Sequence, residues 1–168
     1  MLAFRRDGLF FDKIPDEVNV IKGTEDYEAF DGDAKSAISY FIRKGNFTAV
    51  VDRLRYGRAY KIQDIDLRER FMWLLLKKQL PVCDKNYCCV IGYLEGNASF
   101  YAAEFEKAQK RICYVHSDLK RHNINKNLSA EAFKKCDAVV TVSQVCADSI
   151  NELFPEEKEK VVVIENIT

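Results

Sequence analysis

Four short runs of β-branched and apolar residues constrain this chain most: Cys88-Cys-Val-Ile-Gly-Tyr93, Ile112-Cys-Tyr-Val115, Ala138-Val-Val-Thr-Val142 and Val161-Val-Val-Ile164. They are almost continuously apolar rather than alternating, as strands covered on both faces by helices read. A fifth run, Val18-Asn-Val-Ile21, stands near the N-terminus. Between these runs lie stretches of helical spacing. Ala34 to Lys44 stops at Gly45, a residue suited to closing a helix. Asp66-x-x-Glu69 reads as a capping box opening a helix that carries Phe71–Leu76 and stops before Pro81. Ala98 to Lys110 and Gln144 to Phe154 complete the set, the last following Ser143 and ending at Pro155.

Strand–helix–strand alternation at this spacing predicts one α/β domain over residues 1–168, a Rossmann-like doubly wound parallel sheet with right-handed crossovers. A length of 168 residues suits one domain, and 48% apolar residues with 7 Gly and 3 Pro can bury a core. Intrinsic disorder, collagen and coiled coil are excluded.

Charge and cysteine usage narrow the function classes. With 26 basic and 26 acidic residues the net charge is zero, so bulk attraction to nucleic acid is absent and no nucleic-acid partner is expected. Glu104 to Lys126 is locally basic, with six Lys/Arg (107, 110, 111, 120, 121, 126) against three acids (104, 106, 118). It reads either as a solvated face or as a patch near phosphates or lipid headgroups. No apolar run approaches the roughly 20 residues of a membrane span, and Met1-Leu-Ala-Phe-Arg-Arg-Asp-Gly8 does not read as a secretory signal. Cytoplasmic localisation is expected, with at most peripheral contact at the inner face of the membrane. The six cysteines then read as reduced core residues, and the Asn-x-Ser/Thr triplets at Asn46, Asn97, Asn127 and Asn166 carry no meaning. No metal site is expected: Cys-x-x-Cys is absent, the histidines are His116 and His122, and Cys88 and Cys89 would point to opposite faces of a strand.

In open α/β sheets ligands bind beyond the carboxyl ends of the strands. That rule selects Glu95, Gly96 and Asn97 after the strand ending at Tyr93, then His116, Ser117 and Asp118 after the strand ending at Val115. It also selects Ser143 after Val142, and Glu165 with Asn166 after the last strand. His116 directly follows its strand, where it can meet a ligand oxygen or simply bond a neighbouring loop. Gly96 would let backbone approach a ligand, or form an ordinary strand-to-helix turn. Ser143 reads best as a plain N-cap. No Gly-x-Ser-x-Gly elbow, phosphate loop or Gly-x-Gly-x-x-Gly is present. A Cys113–His116 nucleophile pair fits poorly, because Cys113 lies inside an apolar strand.

Lys110-Arg-Ile-Cys-Tyr-Val-His-Ser-Asp118, Cys136-Asp-Ala-Val-Val-Thr-Val-Ser143, Phe154-Pro155 and Lys160-Val-Val-Val-Ile-Glu-Asn-Ile167 together resemble the N-terminal domain of family 4 glycosyltransferases. These are retaining enzymes of the two-domain GT-B fold. Val90-Ile-Gly-Tyr-Leu-Glu-Gly96 is similar to a strand and loop of bacterial members, and Phe11-Asp-Lys-Ile-Pro-Asp-Glu-Val-Asn-Val-Ile21 resembles the close of the second strand-loop unit. The likeness is strongest over residues 88–168 and weak between 34 and 80.

The resemblance implies transfer of a sugar from a nucleotide-sugar donor to a glycan or lipid-linked acceptor, as in polysaccharide biosynthesis. This domain would shape the acceptor side, with His116 as catalytic residue and Glu95, Gly96, Asn97, Ser117, Asp118 and Ser143 as substrate-binding residues. It implies no cofactor and no metal in this chain, since the donor sits mainly on a C-terminal domain that the sequence does not contain. The chain also departs from the family: the glycine-rich first strand is missing, Glu165 stands where proline is usual, and no Glu-x7-Glu donor motif is found. The isolated chain is therefore expected not to turn over a nucleotide sugar, and multiple turnovers by it alone would contradict this. The expected partners are a donor domain or partner chain, or a second copy in a homo-oligomer, filling the place of the first strand. The alternative is a non-catalytic α/β interaction module, or one subunit of a split glycosyltransferase.

Overall fold

A computed structural model describes residues 1–5, 8–105, 107–121 and 124–166. His122 and Glu106 lie outside these. The chain divides into two compact units, Met1–Cys83 and Asp84–Thr168.

The first unit is mainly helical. Two short strands, β1 (Leu2–Ala3) and β2 (Ile21–Lys22), pair in parallel with Leu2 opposite Ile21. The expected Val18–Ile21 strand is thus reduced to its end. Four helices follow: α1 (Glu25–Asp31), α2 (Ala34–Arg43), α3 (Phe47–Ala59) and α4 (Ile65–Leu76). Each begins at a side-chain cap, Thr24, Asp33, Asn46 and Asp64, accepting a backbone N–H three residues on. The cap of α4 is therefore Asp64 and not the Asp66 of the expected capping box. Gly45 closes α2 at φ +71°, with its N–H on the Ile42 carbonyl and the Asn46 N–H on that of Phe41. That geometry needs a residue free to enter the left-handed region.

The aromatic core of this unit centres on Phe30 and Phe41, both wholly buried, with ring centroids 6.2 Å apart and Tyr56 5.4 Å from Phe30. Buried Asp52 is held by Lys78 Nζ at 2.7 Å and Arg55 at 3.6 Å. Arg53 lays its guanidinium over Tyr56 at 5.3 Å and donates to the Gly32 carbonyl at 2.9 Å. Asp52 is thus paired as burial demands, while Arg53 Nε is buried with no hydrogen-bond partner among the described residues.

The second unit is α/β. Its sheet has the order β3 (Tyr87–Gly92), β4 (Ala108–Val115), β5 (Ala138–Thr141), β6 (Val161–Val163), and all three pairings are parallel. Helices α5 (Asn97–Glu104), α6 (Lys126–Lys135) and α7 (Gln144–Leu153) form the crossovers. The α/β class and the parallel pairing of the four apolar runs are as expected. The helix expected over Ala98–Lys110 stops at Glu104, and Ala108 to Arg111 instead extend β4. Ladder bonds to β3, with Ala108 opposite Tyr87 and Lys110 opposite Cys89, outweigh the helical preference of Ala, Gln and Lys there. Helix α6 was not expected. Its apolar Leu128, Ala132 and Phe133 are buried, and Asn125 caps it by accepting the Leu128 N–H at 2.8 Å.

Because Asn125 is itself 3% exposed, Asn125→Ala is expected to lower stability by about 1–2 kcal/mol. Urea denaturation of the two proteins measures this, and an unchanged midpoint would contradict the cap.

The sheet's two faces differ. Gly92 and Cys113 face α5: the Cys113 thiol reaches the Ser99 carbonyl at 3.7 Å. The other face carries Ile91, Ile112, Tyr114, Val140 and Val162 by strand alternation and register. Ile91 and Val162 remain exposed there, so these strands are not sealed on both sides. Among the described residues β3 has a ladder partner on one side only.

Candidate functional site at the carboxyl ends of two parallel strands

Glu95 and His116 belong to loops that leave adjacent strands, β3 and β4, at the same end. The β3–α5 loop is tight. A Cβ on Gly92 would lie 2.7 Å from both the Ala98 carbonyl oxygen and Ser99 Cα, so only glycine lets α5 sit against β3. The Ser99 hydroxyl then donates to the Leu94 carbonyl at 2.8 Å, and Gly96 turns the chain into α5 at φ +80°. This fixes the Glu95 side chain toward the next strand.

There the carboxylate bridges two residues. Glu95 Oε2 accepts the His116 backbone N–H at 3.0 Å, and Oε1 accepts the Ser117 hydroxyl. Burial pushes the Glu95 carboxyl up, but the Ser117 hydroxyl and the His116 N–H outweigh it and hold it below the usual carboxylate range. The anion is thus stabilised where it clamps the two loops together.

The imidazole of His116 packs in an aromatic group. Its ring centroid is 5.0 Å from that of Tyr93 and 5.7 Å from that of Tyr114, on which it stacks at 23°. Tyr93 and Tyr114 are themselves 5.1 Å apart. His116 Nε2 is buried and has no hydrogen-bond partner among the described residues. A buried polar atom without a partner calls for an explanation, and a ligand hydroxyl is one. Tyr93 and Tyr114 were not singled out from the sequence. They sit two residues before Glu95 and His116, so strand alternation is the signal that would have found Tyr114.

The remaining expected site residues lie apart from this cluster. Asn97 is the exposed first residue of α5. Asp118 turns to its own loop and α7: it accepts the Lys120 N–H at 3.1 Å and the Arg121 guanidinium at 3.2 Å. The Ser149 hydroxyl, ahead of the Lys120 N–H, holds its carboxyl below the usual range. Ser143 caps α7 by accepting the Cys146 N–H at 3.3 Å, the plain role its position suggested. Glu165 and Asn166 are exposed beyond β6.

Cys113 and His116 are not brought together, since the thiol faces α5 and the imidazole stacks on Tyr114. Cys113 instead lies 2.8 Å from Cys136, sulfur to sulfur. That contact lowers the Cys113 thiol and raises the Cys136 thiol, with burial adding to the rise at Cys136. Among the described residues no group of three or more His, Cys, Asp or Glu could hold a metal ion. No helix among them is long and apolar enough to cross a membrane.

The basic stretch after Glu104 is largely neutralised where it stands. Lys107 pairs with Asp84 at 3.1 Å, Lys110 with Asp137 at 2.8 Å, Lys120 with Glu152 and Arg121 with Asp118. Those pairs suit the solvated-face reading better than a phosphate site. In comparisons with known proteins, the chain matches no family model, no curated protein and no solved structure.

Proposed function

We propose that the second unit supplies the acceptor-side wall of a retaining GT-B glycosyltransferase cleft, with the nucleotide-sugar donor held by a separate domain or partner chain. One observation carries this reading: Glu95 clamps the His116 backbone and Ser117 at the carboxyl ends of adjacent parallel strands, while His116 Nε2 is left without a partner. Sheets of this class bind ligands at that edge.

Sugar transfer with retention passes through a cation-like sugar and a departing diphosphate. Its rate depends on holding donor and acceptor together and on stabilising charge as it separates. In this reading His116 Nε2 bonds a sugar hydroxyl, and the aromatic rings of Tyr93 and Tyr114 hold the imidazole at a fixed angle. Glu95, with both oxygens already engaged, is a positioning residue that fixes the His116 backbone rather than a base that touches substrate. Gly96 and Ser117 shape the same rim. The residues implied by the resemblance therefore divide: Asp118 and Ser143 bond within their own loop and helix start, and Asn97 is exposed at the first turn of α5. The engagement of both Glu95 oxygens also suits the alternative, a non-catalytic module that keeps the clamp only as scaffold.

The test is binding followed by rate. Imidazole NMR signals of His116 are expected to shift when the chain is titrated with glycans or with polyprenyl-linked sugars, and Ser117 with them. In an enzyme reconstituted with a donor domain, His116→Ala is expected to slow transfer at least tenfold, the loss of one polar contact to the reacting sugar. Shifts confined to another surface, or a transfer rate unchanged by the substitution, would remove this assignment.

A further inference from the structure

Two of the six cysteines lie deep in the second unit and face each other. Cys113 on β4 is wholly buried and Cys136, between α6 and β5, is 3% exposed. Their sulfurs are 2.8 Å apart although 23 residues separate them in sequence. Backbone holds both in place. Cys113 stands in the ladder with Gly92 of β3 on one side and Val139 of β5 on the other. The Cys136 N–H closes α6 by donating to the Ala132 and Phe133 carbonyls, and the Asp137 N–H donates to the Arg111 carbonyl of β4 at 2.8 Å. The contact is therefore set by a sheet and a helix end.

The surroundings suit sulfur chemistry better than plain packing. The Cys136 thiol beside it holds the Cys113 thiol below the usual range in spite of burial, and the thiolate is the reactive form. Two cations, Lys160 and Arg111, act on Cys136 and oppose the rise that Cys113 and burial impose on it. Lys160 is fixed at that spot by the Phe133 and Lys134 carbonyls, at 3.1 and 3.0 Å. A bonded pair of sulfurs is about 2.05 Å apart, so closing the 2.8 Å gap takes less than about 1 Å of movement.

We infer that Cys113 and Cys136 form a reversible disulfide when the chain meets hydrogen peroxide. The Cys113 sulfur attacks one peroxide oxygen, the O–O bond breaks, and the other oxygen leaves as water while Cys113 becomes a sulfenic acid. The Cys136 sulfur then attacks the Cys113 sulfur. The S–O bond breaks, and the hydroxyl leaves with the Cys136 proton as a second water. Two thiols thus give up two electrons and the peroxide takes both. Peroxide suits a buried pair because it is little larger than water, whereas a bulky disulfide oxidant has no room there. The bond ties β4 to the junction of α6 and β5. The inference uses no residue of the strand-end clamp and stands apart from the sugar-transfer reading.

The whole reduced chain is treated with an equimolar amount of hydrogen peroxide, then alkylated in denaturant and mapped by tryptic mass spectrometry. The expected product has the peptide Ile112–Lys120 joined to Cys136–Lys158 through Cys113 and Cys136, with Cys146 alkylated. Dithiothreitol is expected to return all six thiols. The linked chain is expected to unfold at a urea midpoint about 1 M higher, because a bond between residues so far apart restricts the unfolded chain. Cys136→Ala is expected to abolish the link and the shift, and Cys88→Ser, at an exposed site, to leave both. Mapping of the unaltered chain decides the outcome even where the buried substitution impairs folding. Oxidation that follows exposure, reaching Cys88 while Cys113 and Cys136 remain alkylated, would overturn the inference. So would a link to any other cysteine, or a linked chain whose midpoint does not rise.

Discussion

Gly92→Ala is expected to destabilise the protein by about 3 kcal/mol, the largest loss from any single methyl group described above. The new Cβ would lie 2.7 Å from the Ala98 carbonyl oxygen and from Ser99 Cα, and 2.9 Å from the Ala98 carbonyl carbon. All three are backbone atoms at the start of α5, so no side chain can swing away to make room. Relief requires α5 to move off β3, which breaks the Ser99–Leu94 bond and the contact of the Cys113 thiol with the Ser99 carbonyl. The comparison is Gly96→Ala. At φ +80° and ψ −133° that substitution is strained, yet nothing lies within 4 Å of its Cβ, so about 2 kcal/mol of purely conformational cost is expected. Urea unfolding of the three proteins separates steric from conformational cost. Equal midpoints for Gly92→Ala and the parent would mean that α5 does not pack on β3 in this way.

Glu95→Leu is expected to cost about 2 kcal/mol at neutral pH, with a pH signature of its own. The carboxylate accepts from two donors, the His116 N–H and the Ser117 hydroxyl. A leucine of similar shape accepts from neither, leaving the His116 N–H and the Ser117 hydroxyl without the carboxylate. Glu95 is partly exposed, so solvent screening discounts the charge component and the cost comes chiefly from the lost bonds. Because its folded carboxyl is held below the unfolded value, the stability it contributes is complete above the unfolded pKa and is lost as pH falls through the folded one. The gap between parent and variant should therefore be full at pH 7 and close below about pH 4. A gap that persists unchanged into acid would show that the carboxylate is not the source. Loss of the clamp should also move the His116 ring signals, which a merely peripheral glutamate would leave alone.

The four apolar runs become β3 to β6 because a β-branched segment without polar alternation suits a strand inside a parallel sheet. Helices α2 and α7 stand close to the spans read from Gly45 and from Ser143 and Pro155, because caps and breakers act within a few residues. Helices α1, α3 and α6 were not legible. In α3 the apolar Phe47, Val51 and Leu54 recur at helical spacing but point outward, and the buried face holds Asp52 and Arg53, so the pattern assigns the wrong side to the core. The boundary between α5 and β4 was missed because ladder bonds from β3, far away in sequence, decided it.

At the candidate site, strand-end position alone selected Glu95, His116 and Ser117, and those three meet. The same rule selected Asn97, Asp118 and Ser143, which do not join them, because a position at a strand end says nothing of where a side chain turns. Of the aromatic group, Tyr114 was within reach of strand alternation from His116, whereas Tyr93 joins them from the neighbouring strand and loop, which only the sheet pairing decides.

Local chemistry in the sequence was enough to determine which segments are strands and which turns carry polar residues, since propensity, capping and glycine freedom act over a few bonds. The pairing of Glu95 with His116 and Ser117, the unpartnered imidazole nitrogen and the outward apolar face of α3 were decided only by tertiary structure. Each depends on register and packing between segments distant in the chain, and those are set by the summed burial of the whole fold rather than by any residue's neighbours.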